Sequence, residues 1–139
     1  HLGRYKGTEI ELEAAEPVLA SINPQEIKQV VLNLLTNALD SLEAGGRVRI
    51  ALAARDGFAE LTFIDNGCGM DLEVQEHLFE PFFTRRRSGQ GTGLGLSIAQ
   101  AIVTAHGGSL EVASAPGSTT FVVRLPLAPP TPAPASADQ

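Results

Sequence analysis

Glycine occupies four alternate positions, Gly89, Gly91, Gly93 and Gly95, in the stretch Arg85-Arg86-Arg87-Ser88-Gly89-Gln90-Gly91-Thr92-Gly93-Leu94-Gly95-Leu96-Ser97. No helix or strand interior needs such a run, because each glycine costs about 1 kcal/mol relative to alanine in a regular helix. The segment is therefore a loop. Ile98, Ala99, Ile102 and Val103 follow at helical spacing and His106-Gly107-Gly108 closes the run, so the loop feeds a helix N-terminus. Free backbone N–H groups and the positive end of a helix dipole suit a phosphate there, and three arginines stand just upstream. A plain flexible linker is the alternative reading of the same glycines. Two common phosphate-loop patterns fail: G-x-G-x-x-G would need glycine where Leu94, Leu96 or Ile98 stands, and no Gly-Lys-Ser/Thr occurs.

A chain of 139 residues, 43% apolar and 19% charged, makes one globular domain with a single core. No apolar run approaches the ~20 residues of a membrane span, and no signal peptide opens the chain. The net charge of −6 argues against a nucleic-acid partner. Cys68 is alone, which excludes an internal disulfide and fits a reducing, cytoplasmic setting. Without a Cys/His cluster for zinc, any metal is expected to be a hard ion held by oxygen.

Taken in order, Ile10 and Leu12 alternate with charged residues and predict a half-exposed strand over 8–16, with a short strand around Val18, Leu19 and Ile22. Asn23-Pro24, followed by Glu26, starts a helix whose apolar stripe includes Ile27, Val30, Val31, Leu34, Leu35 and Ala38, ended by Gly45-Gly46. Gln29, Asn33 and Asn37 stand four apart, so their Cβ atoms lie about 5–6 Å from one another, on a row about 140° from the centre of the apolar stripe. Asparagine costs about half a kcal/mol or more in a helix, so two in register point to a site more than to a solvated face. Arg47–Ala54 and Phe58–Ile64 pair as strands across Arg55-Asp56-Gly57, and the second runs into Asp65-Asn66-Gly67-Cys68-Gly69-Met70. That places a carboxylate at the mouth of the sheet, although taken alone these residues read better as a plain Asp-Asn-Gly turn. Asp71 caps a helix of about eight residues. Phe79-Glu80-Pro81-Phe82-Phe83 then serves as core filler, as an anchor for the glycine loop, or as a partner surface. Residues 109–114 and 119–125 form two more strands around Ala115-Pro116-Gly117, and residues 128–139 read as a disordered Pro/Ala-rich tail.

Together, Gln29-x-x-x-Asn33-Leu34-x-x-Asn37-Ala38, Asp65-x-Gly67-x-Gly69-Met70, Phe79-x-x-Phe82-Phe83, Gly91-Thr92-Gly93-Leu94-Gly95-Leu96 and Gly117-Ser118-Thr119-Thr120-Phe121 resemble the ATP-binding catalytic domain of sensor histidine kinases, in the GHKL ATPase superfamily. The resemblance covers residues 8–127, with 1–7 as the remnant of a linker to a dimerisation domain. It implies an α+β fold: a two-layer sandwich of a mixed, mainly antiparallel sheet with helices on one face. It also implies ATP and Mg²⁺ as cofactors. On matching positions, Asn37 ligates Mg²⁺ with Asn33 in support, and an amide oxygen is a hard donor suited to that ion. Asp65 accepts from the adenine amino group, Gly67, Gly69 and Met70 close over the base, and Thr119 holds it through water. The lid amides of Gly91, Thr92, Gly93, Leu94 and Gly95 wrap the phosphates, and Leu94, Leu96 and Phe121 supply apolar contacts.

The hydrolytic relatives (gyrase, MutL and heat-shock chaperone types) carry a glutamate where this chain has Asn33. Asparagine is no general base near neutral pH, so the resemblance implies a phosphoryl donor, not an ATPase. Arg85, Arg86 and Arg87 stand near the place of a usual lysine after the phenylalanine segment, any one of them able to reach a phosphate. Asp40-Ser41 replaces a usual basic residue, and Ser118 replaces a usual glycine. His1, His77 and His106 lie in the wrong contexts to be the phosphoacceptor. The implied partners are a histidine-bearing dimerisation domain of the same kinase and a response-regulator receiver domain. Neither nucleic acid nor direct membrane contact is expected. The alternatives are a stand-alone GHKL ATPase, an anti-sigma-type serine kinase, and a degenerate binding module.

Overall fold

The computed structural model describes residues 8–14, 17–42, 45–83 and 94–128. Among them, strands β1 (Glu9–Ala14), β2 (Arg47–Arg55), β3 (Phe58–Asp65), β4 (Ser109–Ala115) and β5 (Ser118–Pro126) form one sheet in the order β1-β2-β3-β5-β4. Helices α1 (Pro24–Ser41), α2 (Leu72–His77) and α3 (Gly95–Ala105) complete the described elements. β1 and β2 run parallel because α1 lies between them in the chain; the other three pairs are antiparallel. This is the mixed, mainly antiparallel sheet with helices on one face that the resemblance implies.

The register explains the core. Leu12, Ile50, Phe63, Phe121 and Val112 lie opposite one another across all five strands. Because strand side chains alternate, this row and its neighbours face the helices. Phe63 and Phe121 are fully buried, and α1 and α3 cover them with Val30, Leu34, Ala99 and Val103. Burying one such ring stabilises the fold by about 1.5–3 kcal/mol. The helices do not reach the β1 edge, where Leu12 stays 77% exposed. On the other face, Arg47 pairs with Glu9, Arg49 with Glu13, and Arg124 bridges Glu60 and Glu111.

The helix signals act as the sequence predicts. Asn23 Oδ1 accepts from Glu26 N at 3.1 Å, with Pro24 opening α1. His106, at the end of α3, ties the two helices: its Nε2 accepts from Asn23 N at 3.1 Å and its Nδ1 lies 2.8 Å from the Ile102 carbonyl. The neutral ring protonated on Nδ1 satisfies both contacts. Asp71 caps α2 through Val74 N at 2.9 Å, although α2 has 6 residues instead of about eight.

Three boundaries differ from expectation. Val18–Ile22 makes no strand, only a bridge from Ala20 to Leu127, because the segment passes the sheet at its end. α1 stops at Ser41, ahead of Gly45-Gly46. α3 begins at Gly95, inside the glycine run, with Ile98 N bonded to Leu94 O at 2.9 Å. Packing on α1 overrides the weak helix propensity of that glycine. Ala128 donates to the Leu19 carbonyl at 2.9 Å, so it is held against the domain. Residues 1–7, expected as a linker remnant, and residues 129–139 of the expected tail lie outside the described residues.

Candidate functional site

One transverse row of the sheet changes character partway across. Ile10 and Val48 are apolar, but their successors on β3, β5 and β4 are Asp65, Thr119 and Ser114. These occupy helix-facing positions at the end of the sheet where β3 leaves it. Asp65 and Thr119 are each only 2% exposed. A buried carboxylate requires hydrogen-bond donors, and Asp65 Oδ1 receives them from Ser41 Oγ at 3.0 Å and Gly67 N at 2.9 Å. Thr119 Oγ1 lies 2.7 Å from Ser114 Oγ, which accepts from Met70 N at 2.8 Å.

The loop after Asp65 is thus clamped on two sides. Cys68 N donates to the Ser41 carbonyl at 3.1 Å, and Gln75 Nε2 donates to the Met70 carbonyl at 3.0 Å and the Ser114 carbonyl at 3.3 Å. Both glycines of the loop are required by these approaches. A Cβ on Gly67 would collide with the Ser41 hydroxyl and carbonyl. Gly69, at φ +77°, would drive a Cβ into the Ala115 carbonyl. The reason for glycine here lies within the fold itself, whatever the loop does toward a ligand.

The carboxamide row on α1 does not stay on the far side of the helix. Each step of four residues advances about 40°, so the row winds inward. Gln29 is exposed, Asn33 and Asn37 are half-buried, and Ser41, four further on, is buried. Asn33 is engaged at both ends: Oδ1 accepts from Gln29 Nε2 at 2.8 Å and Nδ2 donates to the Gly95 carbonyl at 2.9 Å. The Asn37 carboxamide has no hydrogen-bond partner among the described residues. Its oxygen is therefore an available hard donor.

α3 begins without a side-chain cap, since Leu94 stands at the cap position. Its first N–H groups are thus of the kind that a helix leaves without intrahelical partners. Leu96 packs against the core beside it. Arg85, Arg86, Gly91, Thr92 and Gly93 lie outside the described residues. The phenylalanine segment divides its roles: Phe79 packs edge-on to Phe121 at 6.5 Å, while Phe82 is 73% exposed. Phe121, expected near the base, is wholly enclosed in the core. Among the described residues no group of three His, Cys, Asp or Glu side chains could hold a metal ion.

Two participants escaped sequence reasoning. Ser41 was within reach, as the next i+4 member after Asn37. Ser114 carries no sequence signal, because only the β4–β5 register brings it to Thr119. A groove of about 670 Å³ also opens between α2 and the β4–β5 turn, lined by Met70, Leu72, Gln75 and Pro116 among others. Ser114 of the polar row and Gly69 and Met70 of the loop line it as well, whereas Asp65, Thr119 and the α1 carboxamides do not.

Residues 22–129 match the family described as histidine kinase-, DNA gyrase B-, and HSP90-like ATPase. The signal transduction histidine-protein kinase AtoS of Escherichia coli K12 is 46% identical over 105 residues, 74% of this chain and 17% of AtoS. Sporulation kinase D of Bacillus subtilis 168 is 37% identical, over 90% of this chain and 25% of that protein. The chain thus spans a quarter or less of the length of these relatives. Among solved structures, a mycobacterial sensor histidine kinase, MprB, superposes with a TM-score of 0.80 at 34% identity, covering 92% of this chain and 89% of that one. Full-length ShkA in complex with AMPPNP gives 0.78 at 30% identity, over 92% of this chain and 28% of that one. The chain accordingly belongs to the histidine kinase-, DNA gyrase B- and HSP90-like ATPase family, as an ATP-binding catalytic domain of the kind carried by two-component sensor histidine kinases.

Proposed function

We propose that this domain binds Mg-ATP and presents the γ-phosphate to a histidine on a separate dimerisation domain of the same kinase, from which it passes to a response-regulator receiver domain. The observation that carries the reading is the Asp65 carboxylate, 2% exposed and held through Oδ1 at the polar end of the sheet. A buried acceptor of that kind matches the 6-amino donor of adenine. Thr119, beside it across the β3–β5 ladder, supports the base through water. Met70 and the backbone at Gly67 and Gly69 close over it.

When bound, Mg-ATP supplies the phosphoryl group and the ion that offsets its charge. Asn37 offers its amide oxygen to that ion, with Asn33 as the neighbouring support. The Asn33 Nδ2–H is engaged with Gly95, and its carboxamide carries no base to activate water, which favours donation to a histidine over hydrolysis. Leu94, Gly95 and Leu96 start the helix beneath the phosphates, and the lid amides of Gly91, Thr92 and Gly93 cover them. Arg85 and Arg86 balance the negative charge. Catalysis from this side is positioning and charge neutralisation. The ShkA complex with AMPPNP supports the nucleotide class. Among the described residues, no helix is long and apolar enough to cross a membrane. We place the domain in the cytoplasm.

Titration calorimetry with Mg-ATP tests the reading. Asn37→Ala and Asp65→Asn are each expected to lower affinity by at least tenfold while thermal unfolding stays cooperative. Asparagine suits the second site because it fills the buried position with a polar group of the same shape. Unchanged affinity in both variants overturns the assignment. Rapid ATP hydrolysis by the 139-residue chain, or transfer to serine, counts for an ATPase or a serine kinase instead.

A further inference from the structure

We infer that Ser41 is a positioning residue for adenine recognition: it fixes the Asp65 carboxylate against helix α1 and thereby sets the preference for a purine bearing a 6-amino group. The inference rests on the nucleotide reading above. Ser41 Oγ and Gly67 N both donate to Asp65 Oδ1, and they do different work. Gly67 N is two residues away on the same loop, so it moves with the carboxylate. Ser41 Oγ is 24 residues away in sequence and sits on the helix that carries Asn33 and Asn37. Its bond relates the adenine-facing group to the carboxamides of the phosphate end.

The surroundings of Ser41 are built for that bond. The residue is 6% exposed. Its hydroxyl has one proton and two acceptors in reach, the Ala38 carbonyl at 2.9 Å and Asp65 Oδ1 at 3.0 Å. The carboxylate is the stronger acceptor, because a hydrogen bond to an ionised group is roughly twice as strong as a neutral one. The loop reaches the helix only because position 67 lacks a Cβ, and Cys68 N completes the contact on the Ser41 carbonyl at 3.1 Å. Along α1, Ser41 lies eight residues beyond Asn33, a rise of about 12 Å. The helix thus holds the loop of Asp65 at one end and the start of α3 at the other.

The test compares ATP with purine riboside triphosphate, which lacks the 6-amino group, by calorimetry on the 139-residue chain with Mg²⁺. The wild type is expected to prefer ATP. Ser41→Ala is expected to lose about tenfold in ATP affinity, as fits a lost charge-assisted bond, and to bind the analogue almost unchanged, so the preference shrinks. A general loss of folding lowers both affinities together and leaves the ratio intact. Ser41→Cys, close in shape but a weak donor, is expected to move the ratio in the same direction. A wild-type preference retained in full by both variants overturns the role of Ser41 and leaves the nucleotide reading standing. A wild type that binds neither compound, or both equally, overturns the adenine reading and this inference with it.

Discussion

The Asn33 carboxamide donates from Nδ2 to the Gly95 carbonyl at 2.9 Å, joining the middle of α1 to the first residue of α3. The glycine loop ends where α3 starts, so this bond fixes one end of the loop to the helix that carries the carboxamide row. Asn33→Ala is expected to cost about 1 kcal/mol, since the Gly95 carbonyl lies at the first turn of a helix and keeps other hydrogen-bond options. Asn33→Asp is expected to cost more, about 1–3 kcal/mol, because a carboxylate oxygen would then face that carbonyl. Denaturant unfolding measures both, and amide exchange at Leu96, Ser97 and Ile98 is expected to rise more in the aspartate variant.

Gly67 and Gly69 are expected to be among the least replaceable of the described glycines, together with Gly108, where a Cβ would run into the Arg124 carbonyl. Gly67→Ala forces a methyl into Ser41 and Gly69→Ala forces one into the Ala115 carbonyl, each overpacking by about 1–3 kcal/mol before any strain at φ +77° is added. Gly117 is the control: at φ +85° and with nothing within 4 Å of an added methyl, Gly117→Ala carries only the backbone cost of about 1 kcal/mol. Melting temperatures that fall equally in all three variants would contradict the close approaches.

The phenylalanine cluster is expected to split in thermal denaturation. Phe121 is 0% exposed, and Phe121→Ala is expected to cost about 3–5 kcal/mol. Phe82 is exposed and holds φ at +68°, a region that costs a non-glycine residue about 1–2 kcal/mol. Phe82→Gly relieves that strain and adds about 0.5–1 kcal/mol of chain entropy cost, so no loss of stability is expected. A drop comparable to that of Phe121→Ala would place Phe82 in the core.

His77 gives the domain a small pH dependence of known sign. Its Nδ1 lies 2.7 Å from Glu80 Oε2, and this hydrogen bond, reinforced by the Glu80 charge and by Glu76 and Glu73, raises the imidazole above its ordinary 6.5. A raised folded value means that the pairing contributes fully below pH 6.5 and fades as pH climbs through the raised value. Both side chains are about half exposed to solvent, so salt weakens the effect. His77→Gln is expected to flatten the melting temperature between about pH 6 and 8, relative to the wild type. An unchanged slope would place the titration elsewhere.

Local chemistry was enough to read most of the architecture. Asn23-Pro24 and Asp71 mark helix starts because their caps are made within three residues, and alternating apolar residues mark strands because every second side chain must meet the helices. The five motifs in order also identify the family before any coordinates. Tertiary structure alone decided what those residues rest on. The sequence order of β4 and β5 does not say that Ser114 will steady Thr119, and a helix wheel, which does turn Ser41 toward the apolar face, does not say that Asp65 will meet it there. Nor does a glycine pair announce that its neighbours will be Ser41 and Ala115. Such contacts join segments far apart in the chain, and only the packed sheet and helices bring them within hydrogen-bonding distance.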